Sequence, residues 1–303
     1  MIENQFKELL NSKCCTLLGI GPMSINCIDA AVETSNEYNI PIMLIASRRQ
    51  IDSDSFGGGY VNNWSTEQYS DYVKNKDKKN KIILCRDHGG PWQNNQEVNK
   101  KMSLDEAMVS AKKSFEKDIV SGFKVIHIDP SVDIFGKPKL DQVLNRLYEL
   151  YDYCWEIARK NNQDIIFEIG TEEQSGSTNT QEELEYTLSE VHKFCSKSNL
   201  PYPSFVVIQS GTRVMEMRNV GSFDSPFRIE NELPPEIQIP KMIEICKKFK
   251  IMMKAHNTDY LSNEALAWYP RLGIHAANIA PEFGVEETKA FISILRENNM
   301  FKI

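Results

Sequence analysis

The sequence has no apolar run long enough to span a membrane, no excess of positive charge and no regular cysteine spacing. Its first residues, MIENQFKELLNSK, also lack the apolar segment of a signal peptide. A formal net charge of −7 argues against a nucleic-acid partner, because neutralising phosphates requires a basic surface. The seven irregularly spaced cysteines are typical of reduced thiols. The sequence therefore predicts a cytoplasmic protein that binds a small molecule.

A glycine-rich nucleotide motif is also absent, since no Gly-x-Gly-x-x-Gly follows the first predicted strand. Short apolar runs, typical of buried strands, instead alternate with amphipathic helical patterns. The predicted strands are Thr16–Ile20, Ile42–Ala46, Ile82–Cys85, Lys124–Ile128, Ile165–Ile169, Phe205–Ile208, Ile251–Lys254 and Ile274–Ile279. The predicted helices are Ser24–Tyr38, Ser65–Lys76, Leu104–Ser121, Leu140–Asn161, Gln181–Ser198, Pro235–Phe249, Asn263–Tyr269 and Val285–Glu297. Eight such units in 303 residues predict one α/β domain, a (β/α)8 TIM barrel spanning residues 1–303.

Two aspartate–histidine sets follow apolar runs at the ends of predicted strands. Asp87 and His88 follow the run KIILC, and His256 and Asp259 follow Ile251–Met253. The carboxyl ends of TIM-barrel strands carry the chemistry of barrel enzymes, and these ends meet at one face. The two sets are far apart in sequence but predict a single shared site.

Further polar residues lie on or just after the other predicted strands. They are Gln50, Asp52, His127, Asp129, Glu168, Glu172, Gln209 and Asn278. If Ile126 and Ile128 pack against helices, His127 and Asp129 point into the barrel, because side chains alternate along a strand. A buried structural histidine and a metal ligand both fit the position of His127.

Several of these residues fall within motifs that resemble a known family. The motifs are Gln50–Asp52 with Gly58–Tyr60, Ile83–Trp92, Gly122–Asp129, Ile169–Glu172, Lys254–Tyr260 and Asn278–Pro281. In this order they resemble the class II tagatose-bisphosphate aldolase subunits usually called non-catalytic, with their sugar-epimerase relatives. The blocks cover most of residues 15–290. Three features depart from the family pattern. Gln209–Thr212 replaces the family's Gln-Pro-Gly, the insert Gly221–Pro240 is this chain's own, and family chains typically continue beyond position 303.

The residue types predict a divalent metal, most simply zinc, because imidazole and carboxylate oxygens are its usual ligands. The predicted ligands are His88, His256 and Glu172, with Gln209 as a possible fourth. The predicted catalytic groups are Asp87 as the acid–base, Glu172 and Asp129, although Asp129, like Asp259, is also suited to orienting a histidine. The predicted substrate contacts are Gln50, Asp52, Gly211, Thr212, Arg213, Asp259 and Asn278. Arg213 or Arg48, together with backbone groups near Gly211, are candidates to hold a phosphate.

The leading hypothesis is a metal-dependent class II aldolase-type enzyme that acts on a ketose or ketose phosphate through an enediolate. The alternatives are a sugar or sugar-phosphate epimerase with the same metal chemistry, and a non-catalytic subunit that stabilises a separate aldolase chain. The expected partners are a sugar substrate and either further copies of this chain or a second aldolase subunit.

One long segment separates the sixth predicted strand from its helix. Residues 211–240 exceed the usual length of a connection in a compact domain and carry Arg213, Arg218 and Arg228. The segment follows a strand, so it is expected at the catalytic face as a lid over the substrate. A surface excursion or an oligomer contact is the alternative.

Overall fold

Eight parallel strands close into a barrel within residues 2–170, 180–208, 212–221 and 234–300, which the computed structural model describes. The barrel strands are β1 (Leu17–Ile20), β2 (Ile42–Ser47), β3 (Ile82–Gly89), β4 (Val125–Ile128), β5 (Ile166–Ile169), β6 (Phe205–Ile208), β9 (Met252–Ala255) and β10 (Ala276–Ile279). They pair in the order β1-β10-β9-β6-β5-β4-β3-β2. A separate antiparallel hairpin is formed by β7 (Arg213–Met215) and β8 (Arg218–Val220). The predicted TIM barrel is confirmed.

Helices alternate with the barrel strands along the chain. They are α1 (Ile2–Ser12), α2 (Ile25–Tyr38), α3 (Thr66–Lys76), α4 (Asn95–Asn99), α5 (Leu104–Ser121), α6 (Leu140–Lys160), α7 (Gln181–Ser198), α8 (Pro235–Phe249), α9 (Asn263–Leu272) and α10 (Pro281–Glu297). Side-chain caps fix where several of these helices begin. Ser103 before α5 and Thr180 before α7 each form a capping box with the glutamate three residues later. None of the helices in these ranges is long and apolar enough to cross a membrane.

The core has two layers, one outside the strands and one inside the barrel. Ile126 and Ile128 belong to the outer layer, where they pack with residues of the surrounding helices such as Phe115 and Leu147. The alternate residue Val125 belongs to the inner layer. His127 has the parity of Val125, so it faces the barrel interior, as the sequence pattern predicts.

Helix α1 closes the barrel at the amino ends of the strands. Its Phe6 is 1% exposed and packs edge-on against Phe205, with ring centroids 5.8 Å apart. The backbone N–H of Ile2 donates to Asp164 just before β5. This helix was not predicted from the sequence, because only Ile2 and Phe6 of its 11 residues are buried. It makes the lower half of the barrel a sealed apolar core.

Three further features differ from the sequence predictions. Strand β3 continues to Gly89 instead of ending at Cys85, and α10 begins at Pro281 instead of Val285. The hairpin of β7 and β8 lies within the segment that the sequence treats as loop. The single domain and the lid formed by residues 211–240 remain predictions, since much of that segment lies outside the described residues.

Candidate metal and proton-transfer site

The barrel interior changes from apolar to polar toward the carboxyl ends of the strands. On five of the eight barrel strands a polar residue lies two positions after an inner apolar residue, and therefore on the same face. The pairs are Cys85 and Asp87, Val125 and His127, Ile166 and Glu168, Met252 and Lys254, and Ala276 and Asn278. His256 continues this face just beyond β9. The upper half of the barrel is thus a ring of polar side chains above an apolar plug.

Four of these side chains come together as a group with ligand chemistry. One ligand atom from each of Asp87, His127, Glu168 and His256 lies within 4.8 Å of all the others. His127 Nδ1 lies 3.5 Å from Asp87 Oδ1 and 3.5 Å from Glu168 Oε1, and His256 Nε2 lies 3.6 Å from Glu168 Oε1. Ligand atoms about 2.1 Å from a tetrahedral zinc ion are separated by roughly 3.4 Å. The spacing of this group therefore fits a small divalent ion.

A polar atom without a hydrogen-bond partner points to the same conclusion. Glu168 Oε1 is buried and has no hydrogen-bond partner among the described residues. A buried carboxylate oxygen without a donor costs free energy, so it is a position where a cation stabilises the fold. His127 Nδ1 accepts the backbone N–H of His88 at 3.1 Å and therefore carries a lone pair instead of a proton. A metal ion bound to Nδ1 would use this lone pair and would replace the hydrogen bond from the His88 amide.

His88 is turned away from this group by an irregularity in β3. The register of β3 against β4 shifts between Arg86 and Gly89, and His88 has a φ of 44°, in the left-handed region that side chains disfavour. Gly89 and Gly90, which come next in the chain, allow the backbone to pack closely against neighbouring residues. A Cβ on Gly89 would lie 2.4 Å from the ring of Phe115, and one on Gly90 would lie 2.2 Å from the carbonyl oxygen of Asp129.

The irregularity directs the His88 ring toward Asp129. His88 Nδ1 lies 2.8 Å from Asp129 Oδ2, which also accepts Gln93 Nε2 at 3.2 Å. The other oxygen of Asp129 accepts the backbone N–H and the hydroxyl of Ser131. With both oxygens in use, Asp129 orients His88. The remaining nitrogen of His88, Nε2, lies 3.9 Å from Asp87 Oδ2.

The electrostatics keep the acids ionised. Burial would raise the pKa of Asp87, but the positive charge of His88 outweighs burial and holds this pKa well below its ordinary value. Burial would lower the pKa of His88, but Asp87 and Asp129 outweigh it and raise that pKa to about 9. The pKa of His256 is lowered, chiefly by burial, which favours the neutral imidazole that binds metals.

Lys254 is a buried cation beside this group. Its ammonium lies 2.6 Å from Glu168 Oε2, and the two side chains are 1% and 0% exposed. Burial would raise the pKa of Glu168, but Lys254 and His127 outweigh it and lower that pKa to about 2. Lys254 donates a hydrogen bond to Oε2 of Glu168, so the other carboxylate oxygen, Oε1, is available as a ligand atom.

The group opens into a cavity of about 530 Å³ at the barrel mouth. Its described lining includes Asp87, His88, His127 and His256, together with residues that follow β2. The predicted substrate contact Gln50 also lines this cavity. Asn278 lies just behind the lining, where its amide nitrogen is 3.2 Å from Asp87 Oδ1 and 2.9 Å from His256 Nε2.

Two other predicted substrate contacts have internal partners and are not among the lining residues. Asp52 is fully buried, and its carboxylate accepts from Arg48 at 3.0 Å, Asn94 at 2.8 Å and Ser114 at 2.7 Å. Asp259 Oδ1 accepts the backbone N–H groups at the start of α10. Neither carboxylate lines the described cavity, and the assignment of these two residues to the substrate remains a prediction.

The remaining predicted site residues cannot be placed at the cavity. Thr212 is buried and is not among the lining residues. Glu172, Gln209 and Gly211 lie outside the described residues, as does the side chain of Arg213. Their predicted roles remain predictions.

The sequence predicts no definite role for Glu168 and His127, which belong to the group, and no role for Lys254. The sequence marks Glu168 only as a polar residue at a strand end, and the position of His127 fits both a structural and a ligand role. The signal that identifies all three is strand parity, since each follows an inner apolar residue by two positions.

The fold and the site define a (β/α)8 barrel protein with a carboxylate–imidazole centre at the carboxyl ends of its strands. The sequence matches the family described as D-tagatose-1,6-bisphosphate aldolase subunit GatZ/KbaZ-like over residues 11–283, and the chain belongs to this family. The predicted resemblance is confirmed.

Solved structures of low sequence identity share the fold. A protein described as a probable tagatose 6 phosphate kinase from Sinorhizobium meliloti is 20% identical, with a TM-score of 0.70 over 88% of this chain and 65% of that one. The present chain thus spans about 65% of the length of that protein. The YdjI aldolase from Escherichia coli is 12% identical, with a TM-score of 0.60 over 100% of this chain and 88% of that one. A fructose-bisphosphate aldolase from Campylobacter jejuni is 14% identical, with a TM-score of 0.60 over 97% and 78%.

Proposed function

We propose that this chain is a divalent-metal-dependent aldolase-type enzyme that acts on a ketose or ketose phosphate. The observation that carries the proposal is the convergence of Asp87, His127, Glu168 and His256 at the mouth of the barrel, beside a histidine that faces the cavity. Membership of an aldolase-subunit family supports the reaction class.

The metal ligands that we propose are these four residues, and zinc is the ion that best suits two nitrogens and two oxygens. Two ionised carboxylates and two neutral imidazoles balance the charge of a divalent ion. When bound, the ion would supply Lewis-acid stabilisation of the negative charge on an enediolate.

The proton-transfer group that we propose is His88, oriented by Asp129. In the cleavage direction, the neutral form of His88 takes at Nε2 the proton from the hydroxyl next to the breaking carbon–carbon bond. A divalent ion bound beside His88 would favour this form, because it would oppose the charge of the imidazolium. The electrons of that bond move to the ketone fragment, which becomes an enediolate and later takes a proton at carbon. In the reverse direction the charged imidazolium returns its proton to the aldehyde oxygen.

This proposal exchanges the roles that the sequence suggests for two neighbours, with Asp87 as ligand and His88 as acid–base. Matched variants separate the two assignments. His88→Gln should keep about one zinc per chain and lower turnover by ~10²–10⁴. Asp87→Asn should lose most of the metal as well as turnover. The opposite pattern would restore the assignment from the sequence.

Metal analysis and product analysis test the function itself. The purified chain should hold about one divalent ion, and a His127→Ala, His256→Ala double variant should hold none while remaining folded by circular dichroism. A ketose phosphate incubated with the loaded chain should yield two shorter carbonyl compounds. An isomer with the same carbon skeleton would instead identify an epimerase.

The family description favours a second candidate function, a subunit that supports a separate aldolase chain. In that case the isolated chain would form no product, and adding it would stabilise or activate the aldolase partner. The His127→Ala, His256→Ala variant separates the two cases, because a purely supporting role does not require the group of ligands.

A further inference from the structure

The cavity has a single arginine or lysine among its described lining residues, Arg49. Arg49 follows β2 and is exposed, whereas the acids Asp87 and Asp129 line the cavity near β3 and β4. The described lining is therefore acidic and imidazole-rich at the proposed reaction centre, and its one cationic side chain other than histidine is that of Arg49.

The neighbouring Arg48 is not available to a ligand. Its guanidinium is 1% exposed and is bound by Asp52 at 3.0 Å, Glu97 at 2.7 Å and the carbonyl oxygen of Gly90 at 2.8 Å. Arg48 was a sequence-based candidate for holding a phosphate, and its burial excludes that role. The two adjacent arginines have opposite surroundings.

Arg49 has a fixed backbone and a side chain without a partner among the described residues. Its carbonyl oxygen accepts the N–H of Tyr60 at 3.0 Å, and the next carbonyl, that of Gln50, accepts the N–H of Val61 at 3.1 Å. Gly59 packs directly on this turn, since a Cβ there would lie 1.9 Å from the Gln50 carbonyl oxygen. Within the described ranges, the Arg49 guanidinium has no ion pair or hydrogen bond. The structure thus holds a free cation at a fixed place beside the cavity.

The place where TIM barrels often bind phosphate is closed to an anion in this chain. That place is formed by the loops after the last two barrel strands and a helix N-terminus. Here Asp259 Oδ1 accepts the backbone N–H groups of Ala280 and Glu282, each at 2.9 Å. The chain's own carboxylate uses these donors and would repel a second anion.

We infer that Arg49 binds a terminal anionic group, a carboxylate or a phosphate, on the substrate whose ketose end lies at the metal and proton-transfer site. A guanidinium pairs with either group through two parallel N–H···O hydrogen bonds. Tyr60 and Gln50, which also line the cavity, lie beside it. The inference rests on the proposed function, because it assumes that a ketose occupies this cavity.

Calorimetric binding of three matched ligands tests this subsite without requiring turnover. The ligands are a neutral ketohexose, its 6-phosphate and the corresponding 6-carboxylate, each added to the zinc-loaded chain. The wild-type chain should bind at least one of the acids about 10-fold or more tightly than the neutral sugar. Arg49→Gln should remove that preference and leave the affinity for the neutral sugar unchanged, whereas Arg49→Lys should retain part of it. The control is Arg159→Gln, a change of an exposed arginine on α6 outside the cavity lining.

The outcomes separate the source of the anion and the two proposals. A preference for the phosphate alone or the carboxylate alone identifies the group that Arg49 binds. Equal affinity for all three ligands, binding of neither acid, or an unchanged preference in Arg49→Gln would overturn the inference. Loss of the preference in Arg49→Gln without cleavage of any ligand would support the subsite and contradict the proposed aldolase activity. Cleavage of a ligand that proceeds equally well in Arg49→Gln, with the same preference among the ligands, would support the aldolase activity and contradict the subsite.

Discussion

The lower and upper halves of the barrel interior are built on the same strands but from opposite kinds of residue. The lower half contains apolar side chains such as Ile45, Cys85 and Phe205, sealed by Phe6 of α1. The upper half begins one inward-facing position later and contains Asp87, His127, Glu168, Lys254, His256 and Asn278. The lower half gains free energy from burying apolar surface, whereas the upper half buries charges that need partners. The comparison indicates that the lower half stabilises the fold through apolar burial, whereas the upper half holds the proposed site.

The largest expected effect comes from breaking the buried ion pair of the upper half. In the metal-free chain, Lys254→Met should lower the free energy of unfolding by about 3–5 kcal/mol, because it leaves Glu168 charged, buried and without its main counter-ion. Adding Glu168→Leu should restore most of that loss, since two apolar side chains of similar size need no partners. Urea unfolding measures both changes.

An exposed pair provides the control for this cycle. Lys248 pairs with Glu185 on the surface, where the side chains are 63% and 46% exposed. Lys248→Met should change the free energy of unfolding by less than about 1 kcal/mol. If Lys254→Met were equally mild, the upper half would not depend on charge pairing, and the contrast between the halves would fail.

A smaller effect is expected from Asp129, which orients His88 without belonging to the ligand group. Asp129→Asn keeps the shape but removes the charge beside His88 Nδ1, so turnover should fall by ~10–100-fold. Metal content should stay near one ion per chain. Asp152→Asn, at an exposed position on α6, serves as the control. Loss of metal together with turnover would show that Asp129 supports the ligands.

The sequence is sufficient to predict the barrel because each unit carries its own local signals. Alternating apolar runs and capped helices identify eight β/α units, and the predicted bounds of α5, α7, α8 and β6 coincide with those of the structure. Strand parity also places His127 inside the barrel. Both inferences depend on residues a few positions apart.

The contacts that complete the site join residues far apart in the chain. His88 meets Asp129 across 41 positions, and Lys254 meets Glu168 across 86. The strand irregularity that turns His88 away depends on a positive φ and on packing against Phe115. No local sequence pattern predicts such geometry. The sequence therefore predicts that Asp87 and His88 belong to one site, but it assigns to each of them the role that we propose for the other.

The smallest expected effect comes from the lower half. Ile45→Val removes one buried methylene from the sealed apolar core, where Ile45 is 1% exposed, and should cost about 0.5–1.5 kcal/mol in urea unfolding. Metal content and turnover should match those of the wild type, because Ile45 contacts no group of the upper half through a hydrogen bond or ion pair. Val206→Ala, in the outer layer, offers a comparison outside the barrel interior. A measurable change in zinc affinity for Ile45→Val alone would show that packing below the site sets the spacing of its ligands, and the two halves would then have to be treated as one unit.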